Sequence, residues 1–345
     1  MAEIQLRNVS KRFGDIVAVD DLSIDVMDGE FVVLLGPSGA GKTTTLRLIA
    51  GLERPDAGDV LIDGGIATGV HPSDRDVAFI FQQYSLYPHL TVFGNLAFPL
   101  RSPRRRSSEA EVRARVHAVA EMLHMESKLD NMATHLSGGE MQRVAIGRAL
   151  VRQPKVFLMD EPLSSLDAKL REELRIELKR LHRAIGATII YVTHDQVEAT
   201  TLADRIGILD QGRLVQLGTP REVYGNPVSL SAAQRLGSPP INLLPPTLLN
   251  LAHIPAGTTT VAIRPEDIVL HDPDVGDARG VQDALNLTVL EYSPLRHLLI
   301  LDRAGTAVVV TTVAERNFSP GQSVGVSLPA RSLLYFRADG RRIPT

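Results

Sequence analysis

The 345-residue sequence contains no cysteine. Disulfides and thiolate metal sites are therefore excluded outright. Basic charge is not in excess either, since 37 Lys and Arg stand against 40 Asp and Glu for a formal net charge of −3. That balance argues against a protein whose main partner is nucleic acid. No apolar run approaches the roughly 20 residues that a membrane-spanning helix needs. The start, Met1-Ala2-Glu3-Ile4-Gln5, lacks the basic opening and apolar core of a signal peptide. A cytoplasmic chain is expected, with any membrane association made through a partner. No repeat of 20 to 50 residues is present. One concentrated basic run, Arg101-Ser102-Pro103-Arg104-Arg105-Arg106-Ser107-Ser108, carries the proline and serines of a solvated surface loop.

Against these absences stands one dense stretch. Gly36-Pro37-Ser38-Gly39-Ala40-Gly41-Lys42-Thr43-Thr44 follows the apolar run Phe31 to Leu35 and leads into a helical segment, Thr44 to Ala50. Strand, glycine-rich loop and helix in this order make a phosphate-binding loop: backbone N–H groups converge on one anion, and the helix N-terminus adds its positive dipole end. Lys42 is placed to bridge outer phosphates and the Thr43 hydroxyl to ligate Mg²⁺.

A second apolar strand, Val156-Phe157-Leu158-Met159, ends in Asp160-Glu161. Asp160 suits the holding of Mg²⁺ through water, and Glu161 the polarisation of an attacking water. Between the two strands lies Leu136-Ser137-Gly138-Gly139-Glu140, which opens the amphipathic run Met141 to Leu150 and forms a second anion-binding helix terminus.

That segment closely resembles the signature motif of ATP-binding cassette (ABC) proteins, and the family's other elements occur in order. Phe13 sits where the family has an aromatic ring that stacks on adenine. Gln82 matches its Q-loop glutamine, a Mg²⁺ ligand and water-positioning residue. Ser164-Ser165-Leu166-Asp167 resembles its D-loop, with Asp167 at the nucleotide site, and His194, after Thr188 to Thr193, matches its switch histidine. The resemblance covers residues 3 to 235. It implies a catalytic set of Glu161, His194, Gln82 and Lys42, a nucleotide set of Phe13, Gly36 to Thr44, Ser137 to Glu140 and Asp167, and a metal set of Thr43, Gln82 and Asp160. ATP and Mg²⁺ are the implied ligands. Each residue also has a plainer reading: Phe13 as a core aromatic, Gln82 as an exposed loop residue, Asp167 as a helix N-cap, His194 as a satisfied strand-end histidine. The family signature ordinarily closes in glutamine, so Glu140 is a departure. Its carboxylate suits its own helix dipole yet brings negative charge towards a triphosphate.

The fold class expected is α/β: an ABC-type P-loop domain over residues 1–235, with an antiparallel β layer and a helical subdomain at about 83–153, then an OB-like β domain over 236–345. Ile4 to Leu6, Leu22 to Val26 and Val60 to Ile62 read as the antiparallel layer. Phe31 to Leu35, Ala78 to Phe81, Val156 to Met159 and Thr188 to Val192 read as strands buried on both faces. Leu170, Leu174, Leu178, Leu181 and Ile185 form one helical stripe. Asp210-Gln211-Gly212 closes a hairpin. The passage Gly237-Ser238-Pro239-Pro240 to Pro245-Pro246 reads as a boundary. Beyond it, short strands with a turn at Asp302-Arg303-Ala304-Gly305 suggest a small barrel. With Ile263-Arg264-Pro265-Glu266-Asp267-Ile268, this region resembles the regulatory domain of ABC import ATPases.

The stretches Phe81 to Val92, Glu161 to Leu170 and Gly237 to Asn242 resemble importers of the maltose and glycerol-3-phosphate type. This implies an ATPase that powers solute uptake, most readily of a carbohydrate or polyol, through a separate permease fed by a solute-binding protein. It further implies a head-to-tail homodimer at the cytoplasmic face of the membrane. Import of polyamine, iron or sulfate is the neighbouring alternative, and a soluble non-transport ABC ATPase a more distant one.

Overall fold

The computed structural model describes residues 2–102, 107–249, 254–272, 284–312 and 317–344. Its contacts divide the chain into two compact units, Met1–Pro220 and Arg221–Thr345.

In the first unit, apolar residues alternate with polar ones along β1 (Ile4–Phe13) and β2 (Ile16–Val26), so Ile4, Leu6, Val19, Leu22, Ile24 and Val26 are buried while their neighbours face outwards. That alternation is what a sheet with one solvated face requires. Together with β4 (Ala57–Ile62) and β5 (Gly65–Ile66) these strands form an antiparallel sheet in the order β2-β1-β4-β5. Both leading strands run further than the apolar pattern indicates, because Lys11, Arg12 and Phe13 pair with Val19, Val17 and Ile16 across shifts of register.

The other strands read differently. All five residues of β3 (Phe31–Leu35) and of β7 (Val156–Asp160) are buried, as are all six of β8 (Thr188–Thr193). A strand covered on both faces favours apolar side chains throughout, and the polar exceptions, Asp160, Thr188 and Thr193, are each hydrogen-bonded. With β6 (Val77–Ile80), β9 (Arg205–Asp210) and β10 (Arg213–Gly218) they form a sheet in the order β10-β9-β3-β8-β7-β6, parallel except for the edge strand β10. The turn from β9 to β10 takes Gln211 and Gly212 to φ 49° and 78°. One apolar cluster, including Leu6, Val32, Leu46, Val156 and Ile190, underlies both sheets.

Three adjacent parallel strands decide the function. β3, β8 and β7 lie side by side, so Leu35 pairs with Thr193 and Asp160 with Val192. The segments that leave these strands begin at Gly36, Glu161 and His194 and therefore emerge at one edge of the sheet. The carboxyl edge of a parallel sheet is where such folds place ligands.

The helices support that edge. α1 (Lys42–Ala50) follows the glycine loop. α2 (Val92–Ala97), α3 (Glu109–Met122) and α4 (Gly138–Leu150) form the helical region, where a Cβ on Gly147 would lie 2.6 Å from Leu96 and 3.0 Å from Leu123. α5 (Ala168–Ile185) buries Leu174, Leu178 and Leu181 and stops at Gly186, whose φ of 64° ends the helix. Leu170 and Ile185 complete the stripe only partly buried. α6 (Gln196–Leu202) follows β8. Among the described residues no helix is long and apolar enough to cross a membrane. Of the basic run, residues 103–106 lie outside the described residues, as does Val313 in the expected strand Ala307 to Val313.

The second unit begins earlier than the proline-rich passage suggests. α7 (Pro220–Gly225) and α8 (Leu230–Arg235) precede that passage, yet Ala233 belongs to the cluster of Ile241, Ala262, Leu334 and Phe336. The Arg264 guanidinium stacks 4.0 Å from the Tyr224 ring and donates to the Tyr224 carbonyl at 3.0 Å and to that of Leu236. The Leu230 N–H reaches the Gly340 carbonyl at 2.8 Å. Small alanines let α8 sit on the β domain, so the boundary falls at Pro220 rather than at 235. The prolines near 240 mark turns inside the second unit.

The β strands there are β11 (Asn242–Leu244), β12 (Thr260–Ile263), β13 (Val269–His271), β14 (Ala284–Ser293), β15 (Leu298–Arg303), β16 (Thr306–Thr311), β17 (Ser323–Ser327), β18 (Leu334–Phe336) and β19 (Arg342–Ile343). They form two sheets, β11-β12-β18-β19 and β13-β17-β14-β15-β16, the OB-like β domain. The buried Asn242 joins them as a strand would, donating to the Val309 carbonyl at 2.8 Å and accepting the Val309 N–H at 2.7 Å.

Candidate active site

The loop after β3 depends on two glycines with close neighbours. A Cβ on Gly36 would lie 2.4 Å from the Leu209 carbonyl oxygen. Gly41 caps α1 at φ 94°, where a Cβ would come 2.3 Å from the carbonyl oxygen of Ala18. Only glycine accepts that combination of left-handed backbone and close approach. Lys42 opens α1, is 6% exposed, and its Nζ donates to the carbonyls of Gly36 at 2.9 Å and Pro37 at 3.0 Å. The same ammonium is 3.8 Å from Glu161 Oε1.

Beside it, Thr43 Oγ1 donates to Asp160 Oδ1 at 2.9 Å. Burial pushes the Asp160 carboxyl up from its ordinary value, and the Thr43 bond works against that rise. A hydroxyl and a buried carboxylate side by side are hard oxygen donors of the kind Mg²⁺ takes, so this pair fits the metal.

Glu161 stands one residue past the strand in a left-handed conformation, φ 45°, which a non-glycine residue adopts at a cost of order 1–3 kcal/mol. Its N–H is held by the Val192 carbonyl at 3.0 Å. The carboxylate is thereby turned between two groups, the Lys42 ammonium on Oε1 and His194 Nδ1 at 3.0 Å from Oε2. An ionised carboxylate only accepts, so Nδ1 carries the proton of that bond. Gln82 Nε2 donates to Ser164 Oγ at 3.3 Å, and Ser164 Oγ donates to the Glu161 carbonyl at 2.9 Å. The structure thus brings Lys42, Thr43, Gln82, Asp160, Glu161 and His194 together.

Phe13 lies elsewhere, at the end of β1 opposite Ile16. It is 44% exposed, with the Lys11 ammonium 5.3 Å from its ring centre. That exposure rules out the core-aromatic reading. Asp167 makes the plainer contact foreseen for it, accepting the Leu170 N–H at 3.0 Å as N-cap of α5.

Ser137 caps α4 in a capping box with Glu140. Ser137 donates to Glu140 Oε2 from its N–H at 2.8 Å and from its hydroxyl at 3.0 Å, while Lys128 Nζ stands 3.1 Å from Oε1. These bonds, with the Ser137 N–H first, hold the Glu140 carboxyl below its ordinary value. Within the single chain its charge is committed to its own helix and to Lys128. Gly138 leaves room for the Tyr84 hydroxyl, which a Cβ would approach to 3.3 Å.

Some residues at the site, or bracing its first helix from the far end, escaped the sequence reading. Arg171 reaches the D-loop carbonyls, and Glu198 lies buried below the His194 turn, accepting from Tyr191 at 2.8 Å and Thr193 at 2.7 Å. Arg75, also buried, donates to the Leu48 and Ile49 carbonyls at the end of α1, each at 2.8 Å. The i+4 spacing of Asp167 and Arg171 on a helix signals that Arg171 shares a face with the D-loop.

A model of the ABC transporter family matches residues 19–164. The chain is 45% identical to the sn-glycerol-3-phosphate import ATP-binding protein UgpC of Rhizobium meliloti, over 99% of this chain and 100% of that protein. This chain belongs to the ABC transporter family of import ATP-binding proteins. As an ABC ATPase it is 53% identical to the trehalose/maltose import ATP-binding protein MalK of Thermococcus litoralis, over 71% of this chain and 67% of that one. Among solved structures, a dimeric ATP-binding cassette in a post-hydrolysis state, bound to ADP and Pi, shares 35% identity at a TM-score of 0.57, covering 63% of this chain and 99% of the other. A nucleotide-free cassette from an ABC transporter matches at 27% identity and the same TM-score of 0.57, covering 64% of this ABC chain and 92% of the other.

Proposed function

We propose that this chain is the ATP-hydrolysing subunit of an importer for a carbohydrate or polyol, taken up through a separate permease that a solute-binding protein supplies. The observation that carries the chemistry is the meeting of Lys42, Thr43, Asp160, Glu161 and His194 at the ends of three adjacent strands. The names of the sn-glycerol-3-phosphate and trehalose/maltose relatives support the solute class.

In this reading Phe13 stacks on adenine and the loop Gly36 to Thr44 wraps the phosphates with its N–H groups. Lys42 exchanges its loop carbonyls for the outer phosphates. Thr43 and Asp160, with Gln82, hold Mg²⁺, which when bound neutralises charge on the outer phosphate oxygens. Glu161 takes the proton of the attacking water, and His194 and Lys42 fix that carboxylate from either side so that one geometry is available to it. Gln82 is placed to report on the site, since its bond to Ser164 continues to the Glu161 carbonyl.

The second half of each site comes from a partner copy. Ser137, Gly138, Gly139 and Glu140 present a helix N-terminus to the nucleotide of the other chain, with Asp167 beside it. A head-to-tail homodimer makes two such sites by symmetry, as the dimeric solved relative supports. We assign the permease contact to a cleft of about 420 Å³ lined by Phe79, Phe81, Tyr84, Phe98 and Arg148, because its lining flanks Gln82 in the chain on either side. The working location is then the cytoplasmic face of the membrane, with the OB-like domain in a regulatory role.

Glu161→Gln tests the chemistry. It preserves shape and removes the basic carboxylate, so ATP binding persists while hydrolysis falls by at least about a hundredfold. Turnover within about threefold of the parent, under roughly 1 kcal/mol of barrier, sinks the assignment.

A further inference from the structure

Three backbone carbonyls in and just before the D-loop turn towards a single side chain. Arg171 donates from Nε to the Leu163 carbonyl at 3.3 Å and from Nη2 to those of Ser164 at 3.3 Å and Leu166 at 2.9 Å. Its Nη1 stands 3.6 Å from Asp195 Oδ2. Asp195 immediately follows His194, and its Oδ1 caps α6 by accepting the N–H groups of Val197 at 2.7 Å and Glu198 at 3.2 Å. On the other side Ser164 is tied to the Glu161 carbonyl at 2.9 Å. One guanidinium therefore spans the loop that follows Glu161 and the turn that carries His194.

A half-exposed pair at this separation adds little to stability. Its geometry is another matter. Guanidinium donors lie in a rigid plane, so the carbonyls bonded to it and the carboxylate paired with it share one frame, whereas an ammonium on a flexible stem imposes no such frame.

We propose that Arg171 is a positioning residue for hydrolysis, clasping the D-loop to the His194 turn so that the separation of His194 and Glu161 is set by the D-loop. The proposal rests on the roles given above to Glu161 and His194. It makes the D-loop, which in the proposed dimer meets the partner copy, a lever on the bond between His194 and Glu161.

The test uses the full chain with Arg171→Lys, Asp195→Asn and the pair combined, with Glu161→Gln alongside. Asparagine keeps the oxygen that caps α6, and lysine keeps the charge, so both variants retain the fold; melting curves check this. Each single change is expected to lower kcat about tenfold while the Kd for ATP, read with a fluorescent analogue, stays within about twofold, and the double variant falls no further than the worse single one. Independent, multiplying losses, or full kcat in Arg171→Lys, overturn the clasp. A matching loss of ATP affinity also overturns it, since that is the mark of general damage. If Glu161→Gln keeps its turnover, the catalytic reading beneath the clasp fails instead, and the two failures are distinguishable.

Discussion

Glu140→Gln should destabilise the chain and strengthen its ATP-dependent dimer at the same time. In the single chain the Glu140 carboxylate accepts the Ser137 N–H and hydroxyl, at 2.8 and 3.0 Å, and pairs with Lys128 at 3.1 Å. Glutamine retains an acceptor for the capping box but not the charge. Charge-assisted hydrogen bonds are about twice as strong as neutral ones, and a part-exposed ion pair contributes roughly 0–1 kcal/mol, so the folded chain loses on the order of 1 kcal/mol. For a cassette of this size that is a melting shift of roughly 3 °C. Because the carboxyl is held below its ordinary value, its contribution is fully present above pH of about 4.5 and is lost as pH falls through the lowered value. The melting difference between parent and variant should therefore close on acidification.

The dimer responds with the opposite sign. In the proposed dimer the Ser137 N–H and hydroxyl that serve Glu140 would be donors to the partner's outer phosphate, and the carboxylate would add a like charge beside it. At roughly 10 Å and an effective dielectric of about 20, the repulsion is on the order of 1 kcal/mol, about fivefold in dimer affinity. Sedimentation of Glu161→Gln with and without Glu140→Gln, in ATP at low and high salt, isolates this from hydrolysis. The gain should shrink at high salt, where the screening length falls to about 3 Å at 1 M. Unchanged or weaker dimerisation at both salt concentrations would refute the reasoning and leave Glu140 as a helix cap alone.

Other outcomes follow from single contacts. Lys42→Ala should weaken ATP binding itself, by tenfold or more, as removal of a charged phosphate donor does, and equilibrium titration with a fluorescent nucleotide reads it directly. Gly41→Ala forces a Cβ to 2.3 Å from the Ala18 carbonyl oxygen at φ 94°, so nucleotide affinity should vanish while the β domain still melts cooperatively. Arg75→Ala should cost about 3 kcal/mol, because the buried carbonyls at the end of α1 lose a charged donor, and chemical denaturation measures the loss. A fragment ending at Pro220 should bind ATP, whereas one ending at Arg235 carries α8 without the Phe336 surface it covers and should be the less soluble of the two.

Chemistry that is contiguous in the chain was readable from the chain. The strand, loop and helix around Gly36 to Thr44 declare themselves because only glycine fits the close turns at Gly36 and Gly41, and buried strands such as β3 and β7 declare themselves because both faces favour apolar residues. The hairpin at Asp210-Gln211-Gly212 was likewise legible, because glycine takes the left-handed backbone of its turn, φ 78°, without cost. Tertiary structure decided everything that depends on which side chain faces which. The spacing of Ser137 and Glu140 shows a capping box, but that Lys128 pairs with the same carboxylate appears only in the fold. Arg171 is one more arginine on an amphipathic helix until α5 is laid against the D-loop. The domain boundary fell at Pro220 because Ala233 of α8 packs into the cluster of Phe336, a contact across a long sequence separation that no local composition encodes. Residue identity settles what a group can do, and only the packing of distant strands and helices settles what it is given to do it to.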